Sequence, residues 1–194
     1  MPEPRAKGGD RAPDEPGLVA KIVAIHDALD SANLAHAFGG ALALAWCTEQ
    51  ARGTNDVDVN VFVDAAQSAR ALAALPSAVA VDDDDVERCR RDGQVRVWWG
   101  RNPIDVFLDT TDFHRDAAAR AVSHVFGGRS MPFLHCSDLA VLKAFFNRSK
   151  DWVDLEMMHA AGQLDVARTL GTLVQYLGVD DERVDRLRDL IAGT

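Results

Sequence analysis

From residue 18 onward the apolar positions recur in two rhythms, and each change of rhythm marks an element boundary. LVAKIVAIHDALDSANL (18–34) spaces its apolar residues along one face of a helix, with 31–33 as its stop. AHAFGG then predicts a short strand running into a tight glycine turn. ALALAWCTEQA, rich in strong helix formers, predicts a helix starting directly from that turn, with Gly39 and Gly40 at or just before its N-terminus. In DVDVNVFV (56–63) the period drops to two: Asp56, Asp58 and Asn60 share one face, and Val57, Val59 and Val61 share the other, toward the core. AAQSARALAAL predicts a helix closed near Pro76. The tract DDDDVERCRRDG separates it from QVRVWWG and PIDVFLD, two strands joined into a hairpin by GRNP. A short helix around FHRDAAARA and a second hairpin, SHVFGGRSMPFLHC, lead to Cys136. Beyond it only helical patterns remain: LAVLKAFFNRSKDWVDLEMMHAAG, capped by Ser137 and Asp138, then DVARTLGTLVQYLG and DERVDRLRDLIA.

The pattern divides the chain into a polar lead-in (1–17), an α/β core (18–136) and a C-terminal helical region (137–194). The lead-in holds four of the seven prolines and no apolar run of the signal-peptide kind, so it is expected to be disordered. At 47% hydrophobic residues over 194 positions, the chain can bury one substantial core. A formal net charge of -9 argues against a protein whose whole surface tracks a nucleic-acid backbone. A local basic patch stays open: Arg88, Arg90, Arg91, Arg96 and Arg101 accompany Trp98 and Trp99, the guanidinium-plus-ring combination that single-stranded RNA ends require. Alternation puts the two tryptophans on opposite faces, so one of them belongs to the core.

Cys47, Cys89 and Cys136 are far apart, odd in number and in no CxxC arrangement, so neither a disulfide framework nor a zinc ribbon is expected, and a reducing, cytoplasmic setting fits. The six histidines show no ligand spacing. No apolar run is long enough to span a bilayer. Asp82 to Asp85 read as a solvated loop or helix cap, and Met157 and Met158 as core filler.

The candidate chemistry lies on the polar face of 56–63. Two carboxylates side by side repel, and in a low-dielectric cleft one takes up a proton unless a cation lies between them. Mg²⁺ suits such a pair, since it takes oxygen ligands and shares them with substrate phosphates. Asp105, bracketed by Ile104 and Val106, brings a third acid if its strand neighbours the first. Gly39 and Gly40, without side chains, let backbone N–H groups and a helix dipole approach phosphate oxygens. Alone, the Asp-x-Asp reads as a wet strand face and the Gly-Gly as a plain turn. The order of strand, Gly-Gly, helix, Asp-x-Asp strand and lone-Asp strand is what points to chemistry.

That order resembles the nucleotidyltransferase superfamily related to DNA polymerase β. Within it, FGGALALAW with RGTNDVDV, PIDVF and SDLAVLKAFFNRSKDWVDLEMM resemble the AbiEii and MenT group of bacterial toxin nucleotidyltransferases, over roughly residues 34–156. The resemblance implies an α/β (α+β) fold, a polymerase β-like core with a mixed sheet followed by a C-terminal helical region. It implies Gly39 and Gly40 as the phosphate-facing turn, and Asp56, Asp58 and Asp105 as ligands of a two-metal Mg²⁺ site that Mn²⁺ can also fill, with Asp105 next to the incoming hydroxyl. Arg52 and Thr54 match the lead-in that holds the β- and γ-phosphates, and Lys143 matches the lysine that reaches the nucleotide. Lys150, Asp151 and Asp154 match the basic-acidic tail, without deciding which acid acts. The interval from Gly40 to Asp56 is longer than the family pattern. If 139–156 is one helix, Lys143, Lys150 and Asp154 share a stripe on it; otherwise the residues are an ordinary exposed face.

The expected activity is transfer of an NMP from an NTP to an acceptor hydroxyl with release of pyrophosphate. Resemblance to the toxin group implies the 3′ end of tRNA as acceptor and an antitoxin protein as partner. Two alternatives stay open: the same fold acting on a small molecule, as antibiotic nucleotidyltransferases do, or on a protein side chain; and a non-catalytic module that only binds nucleotide.

Overall fold

The computed structural model describes residues 15–193, so all but the end of the expected disordered lead-in lies outside the described residues. The strand β2 (Val57–Asp64) runs antiparallel to β1 (His36–Phe38) and parallel to β4 (Asn102–Asp109). β3 (Gln94–Trp99) forms a hairpin with β4, and β5 (Val122–Phe126) with β6 (Arg129–Phe133) forms another, which joins β1 in parallel through β6. The result is a six-stranded mixed sheet in the order β3-β4-β2-β1-β6-β5.

Val57, Val59 and Val61 of β2 are fully buried, as are Ile104, Val106 and Leu108 of β4 at the same level. α1 (Leu18–Ser31) lies over this face. Its buried Lys21 donates to the Trp99 carbonyl (2.7 Å) and to Asn102 Oδ1 (2.8 Å), and His26 meets His36 ring to ring (2.9 Å). The polar face is covered by α2 (Gly40–Thr48), α5 (Asp112–Arg120), α6 (Cys136–Phe146) and α7 (Ser149–Ala160), with α8 (Val166–Leu177) and α9 (Glu182–Ala192) packed on α6. One core cluster extends from Ile22 to Leu187, so the sheet and the last helices bury apolar surface together. Of the two tryptophans on β3, Trp99 is buried and Trp98 exposed, as alternation requires.

Of the two readings of the acidic tract, the helix cap holds: Asp82 and Asp85 form a reciprocal capping box at the start of α4 (Asp83–Asp92), acids fill its positive first turn, and Gly93 ends it in the left-handed conformation. Three local expectations change. The helix expected over 65–75 divides into a 3₁₀ turn (Ala65–Gln67) and α3 (Ser68–Ala73). The long helix after Cys136 breaks at Asn147, whose φ of 54° is left-handed and whose side chain accepts from Trp152 Nε1 (2.7 Å). α6 is capped by His135, not by Ser137 and Asp138. Asp138 is instead fully buried between the guanidiniums of Arg120 (2.8 Å) and Arg168 (3.2 Å).

The cysteine expectation is also corrected. Cys47 in the last turn of α2 and Cys136 at the start of α6 form a disulfide, with Cα atoms 5.6 Å apart, and Cys89 is free and buried. The partners are 89 residues apart, so only the packing of α2 against α6 brings them together. Under oxidising, denaturing conditions, thiol titration is expected to find Cys89 alone. After reduction it is expected to find all three thiols, with a loss of roughly 2–4 kcal/mol of unfolding stability.

Candidate active site

β1 ends at Phe38, and the turn that follows is tied to β2: Gly39 N–H donates to the Asp58 carbonyl (2.9 Å). Gly40 has φ of +52°, and a side chain there would run into the Asp58 carboxylate. Glycine is thus required twice, by conformation and by space, and the first turn of α2 opens directly beside the carboxylate.

Asp58 and Asp105 are register partners on parallel neighbours β2 and β4, so their side chains stand side by side on the polar face. Burial, helped by the Asp105 and Asp56 charges, pushes the Asp58 carboxyl up to about 6, against the opposing pull of Lys143 and Arg148. Asp105 is held by Arg96 from the opposite position on β3, with Nε to Oδ1 and Nη2 to Oδ2 both at 2.7 Å. Asp56 precedes the strand, and its N–H is fixed by Thr54 Oγ1 (3.1 Å). Among the described residues no three acidic, His or Cys side chains make a ready-built metal cage. The donor chemistry nonetheless fits a hard cation: Asp58 and Asp105 are oxygen donors whose mutual repulsion a divalent ion relieves, with Asp56 next to them.

The cations come from the helices. Lys143 on α6 is buried, 2.5 Å from Asp154 Oδ2 and 3.8 Å from Asp151 Oδ1 on α7. The break at Asn147 folds α7 back on α6, so Lys143 and Asp154 meet by helix packing rather than along one helical stripe. Arg52, expected on phosphates, reaches the same Asp154 oxygen (2.9 Å), while Asp154 Oδ1 is buried without a partner. Asp151 caps α7 through Arg148 and lines the cleft; Asp154 does not line it. Lys150 is exposed on the first turn of α7 and lines no part of the cleft. Thr54 spends its hydroxyl on the loop before β2.

Between the polar sheet face and the helices lies a cavity of about 280 Å³. Gly39, Gly40, Asp58 and Lys143 are at one side of it, and Phe107, Phe113 and Tyr176 are among its apolar walls. Its floor is Asn60, buried beneath α5; Asn60 Oδ1 lies 3.1 Å from His114 Nε2, and burial lowers the His114 pKa from its ordinary value. A second, open lobe continues over β3 and β4, lined by Arg88, Arg96, Asp105 and Arg148. Phe107 and Phe146, with rings 5.7 Å apart, border both lobes. The sequence did not point to Arg148, His114 or Tyr176 as site residues, because only the tertiary fold brings them to this face.

No family model matches the chain, and no curated protein matches it in sequence. Solved structures do match in fold. The antibiotic-resistance factor ANT(2″)-Ia in solution superposes with a TM-score of 0.51 at 18% identity, over 90% of this chain and 91% of its own. The same factor in complex with adenylyl-2″-tobramycin gives 0.50 at 16%, over 90% and 97%. The lincomycin-bound lincosamide antibiotic adenylyltransferase LnuA gives 0.51 at 11%, over 73% and 96%. The chain therefore shares its fold with these structures, a mixed sheet flanked by helices.

Because the Asp58 pKa is raised on folding, the native state keeps its proton between about pH 4 and 6 while the unfolded chain has lost it. The stabilisation from that proton is full below the unfolded pKa and is lost as pH rises through the folded one. Asp58→Asn is therefore expected to be more stable than the parent chain at pH 8 in chelator, by roughly 1–3 kcal/mol. The advantage should vanish as thermal unfolding is followed down to pH 4.

Proposed function

We propose that the chain is a Mg²⁺-dependent nucleotidyltransferase that moves an NMP from an NTP to an acceptor hydroxyl and releases pyrophosphate. The observation that carries this is the Asp58–Asp105 pair at the mouth of the Gly39–Gly40 turn. Asp56, Asp58 and Asp105 would hold Mg²⁺, which supplies charge neutralisation at the phosphates and lowers the pKa of the attacking hydroxyl. The N–H groups of the glycine turn bind phosphate oxygens with the α2 dipole behind them. Lys143, oriented by Asp154, adds a fixed positive charge at the same side. The apolar cavity accepts the nucleobase between its aromatic walls and excludes water from the phosphates. Residues 18–136 form the catalytic core, and 137–194 the helical region that supplies the lysine.

For the acceptor, the open lobe beside Asp105 favours the 3′ end of tRNA: Arg88, Arg96 and Arg148 offer guanidiniums to phosphates, and Phe146 offers an exposed ring to a base. On this reading the protein is the toxin of a toxin–antitoxin pair, and the antitoxin is its protein partner. A second reading, a small-molecule acceptor, draws on the antibiotics named with ANT(2″)-Ia and LnuA, whose fold this chain shares.

Incubation with each labelled NTP, with tRNA or with a small-molecule extract, separates the two. Mass spectrometry is expected to find tRNA heavier by one nucleotide. Label only in the extract moves the assignment to the second reading, and label in neither overturns nucleotide transfer. Asp56→Ala and Asp58→Ala are each expected to lower transfer roughly a thousandfold or more while the fold, followed by circular dichroism, is retained.

A further inference from the structure

Asp105 faces the open lobe, yet both of its oxygens are occupied by the planar fork of Arg96. The contact is written into the strand register: Arg96 and Asp105 are directly opposed on antiparallel β3 and β4. β3 is the edge strand of the sheet, and the Arg96 side chain is 50% exposed against 18% for Asp105, so the arginine has room to turn outward and the acid does not. While the fork is closed, one lone pair of each oxygen is taken and the negative charge is paired, so the carboxylate is a poorer acceptor for a hydroxyl proton and a weaker ligand for a cation. Opening it requires a competing partner for the guanidinium, and a phosphate is the partner whose oxygens match the same fork. Arg148, which lines the same lobe, is not a substitute latch: its guanidinium is engaged by Asp151 (2.6 Å) and lies over the Phe146 ring.

We propose that Arg96 is a substrate-released latch on Asp105, a positioning residue that transfers from the carboxylate to a phosphate of the bound substrate and so frees Asp105 only when the lobe is filled. This rests on the nucleotidyltransferase reading and adds to it an order of events: anion first, then a competent Asp105. The phosphate comes either from the NTP or from an RNA backbone.

The test is the Arg96 Nε–Hε resonance of the full chain in chelator, with the Gly40 amide as an independent report of binding. ATP, a short single-stranded RNA ending in CCA, and uncharged adenosine serve as probes. The Arg96 signal is expected to move with a phosphate-bearing probe and not with adenosine, and the probe that moves it identifies the source. In Asp105→Asn the signal should start at the unpaired position. A Gly40 shift without an Arg96 shift refutes the latch and leaves the site reading standing. Shifts at neither residue with either phosphate probe refute both. As a second readout, Arg96→Gln should bind Mn²⁺ about tenfold more tightly than the parent chain by water-proton relaxation, since the competing cation is gone, and Arg96→Lys should fall between them. Equal Mn²⁺ affinity in all three overturns the proposal.

Discussion

Asp58 and Asp105 are held side by side because β2 and β4 are parallel neighbours in register, with buried valines, Ile104 and Val106 locking that register from the other face. A one-residue slip of either strand would turn its carboxylate into the core and its apolar row outward, so the hydrophobic pattern enforces an electrostatic conflict. At a strand spacing of about 4.8 Å and an effective dielectric of about 20, the repulsion is on the order of 3 kcal/mol. Burial, with the Asp105 charge adding to it, lifts the Asp58 carboxyl to about 6. The surroundings answer the repulsion with positive charge from three directions: the N-terminus of α2 at Gly40, Lys143 with Arg148 from the helices, and Arg96 from the edge strand.

The helical region earns its place in this scheme through one backbone irregularity. Asn147 in the left-handed conformation ends α6 and lets α7 return beside it, and the new cap at Arg148 and Asp151 starts α7 in the right phase. Asp154 then lies between Lys143 and Arg52, joining α6, α7 and the loop before β2 through one carboxylate. Its other oxygen is buried without a partner, a cost accepted to aim the lysine. The Cys47–Cys136 link joins α2 to α6, the two helices that bring the glycine turn and Lys143 to the site.

What could be read from the sequence was whatever depends on short-range periodicity. The alternation over 56–63 gave the strand, its faces and the Asp58 position, and the same pattern around Asp105 supplied the second acid. Gly39 and Gly40 were legible because a helix pattern begins directly after them. Properties set by distant packing were not. Asp82 to Asp85 read equally as a solvated loop or a helix cap until the reciprocal bonds of Asp82 and Asp85 are seen to start α4. Lys150 shares a stripe with Lys143 only on an unbroken helix, and Trp152 reaching back to Asn147 removes that premise. Arg96 stood in a run of arginines with nothing local to single it out, since only the β3–β4 register puts it opposite Asp105. Cysteine spacing argued against the Cys47–Cys136 link for the same reason, since only the packing of α2 on α6 brings the two together.

Charge placement bears on how such a site can treat an anionic substrate. With a net charge of -9 the protein as a whole repels a polyanion, so long-range attraction cannot bring RNA to the cleft. Attraction has to be local, within a Debye length of Arg88, Arg96 and Arg148. Each of these guanidiniums also has a carboxylate partner, in Asp85, Asp105 and Asp151. A phosphate entering the lobe therefore exchanges ion pairs rather than finding free cations, and the net gain per contact is small. Discrimination then depends on whether the substrate's phosphates and ring fit the guanidiniums and Phe146 at once.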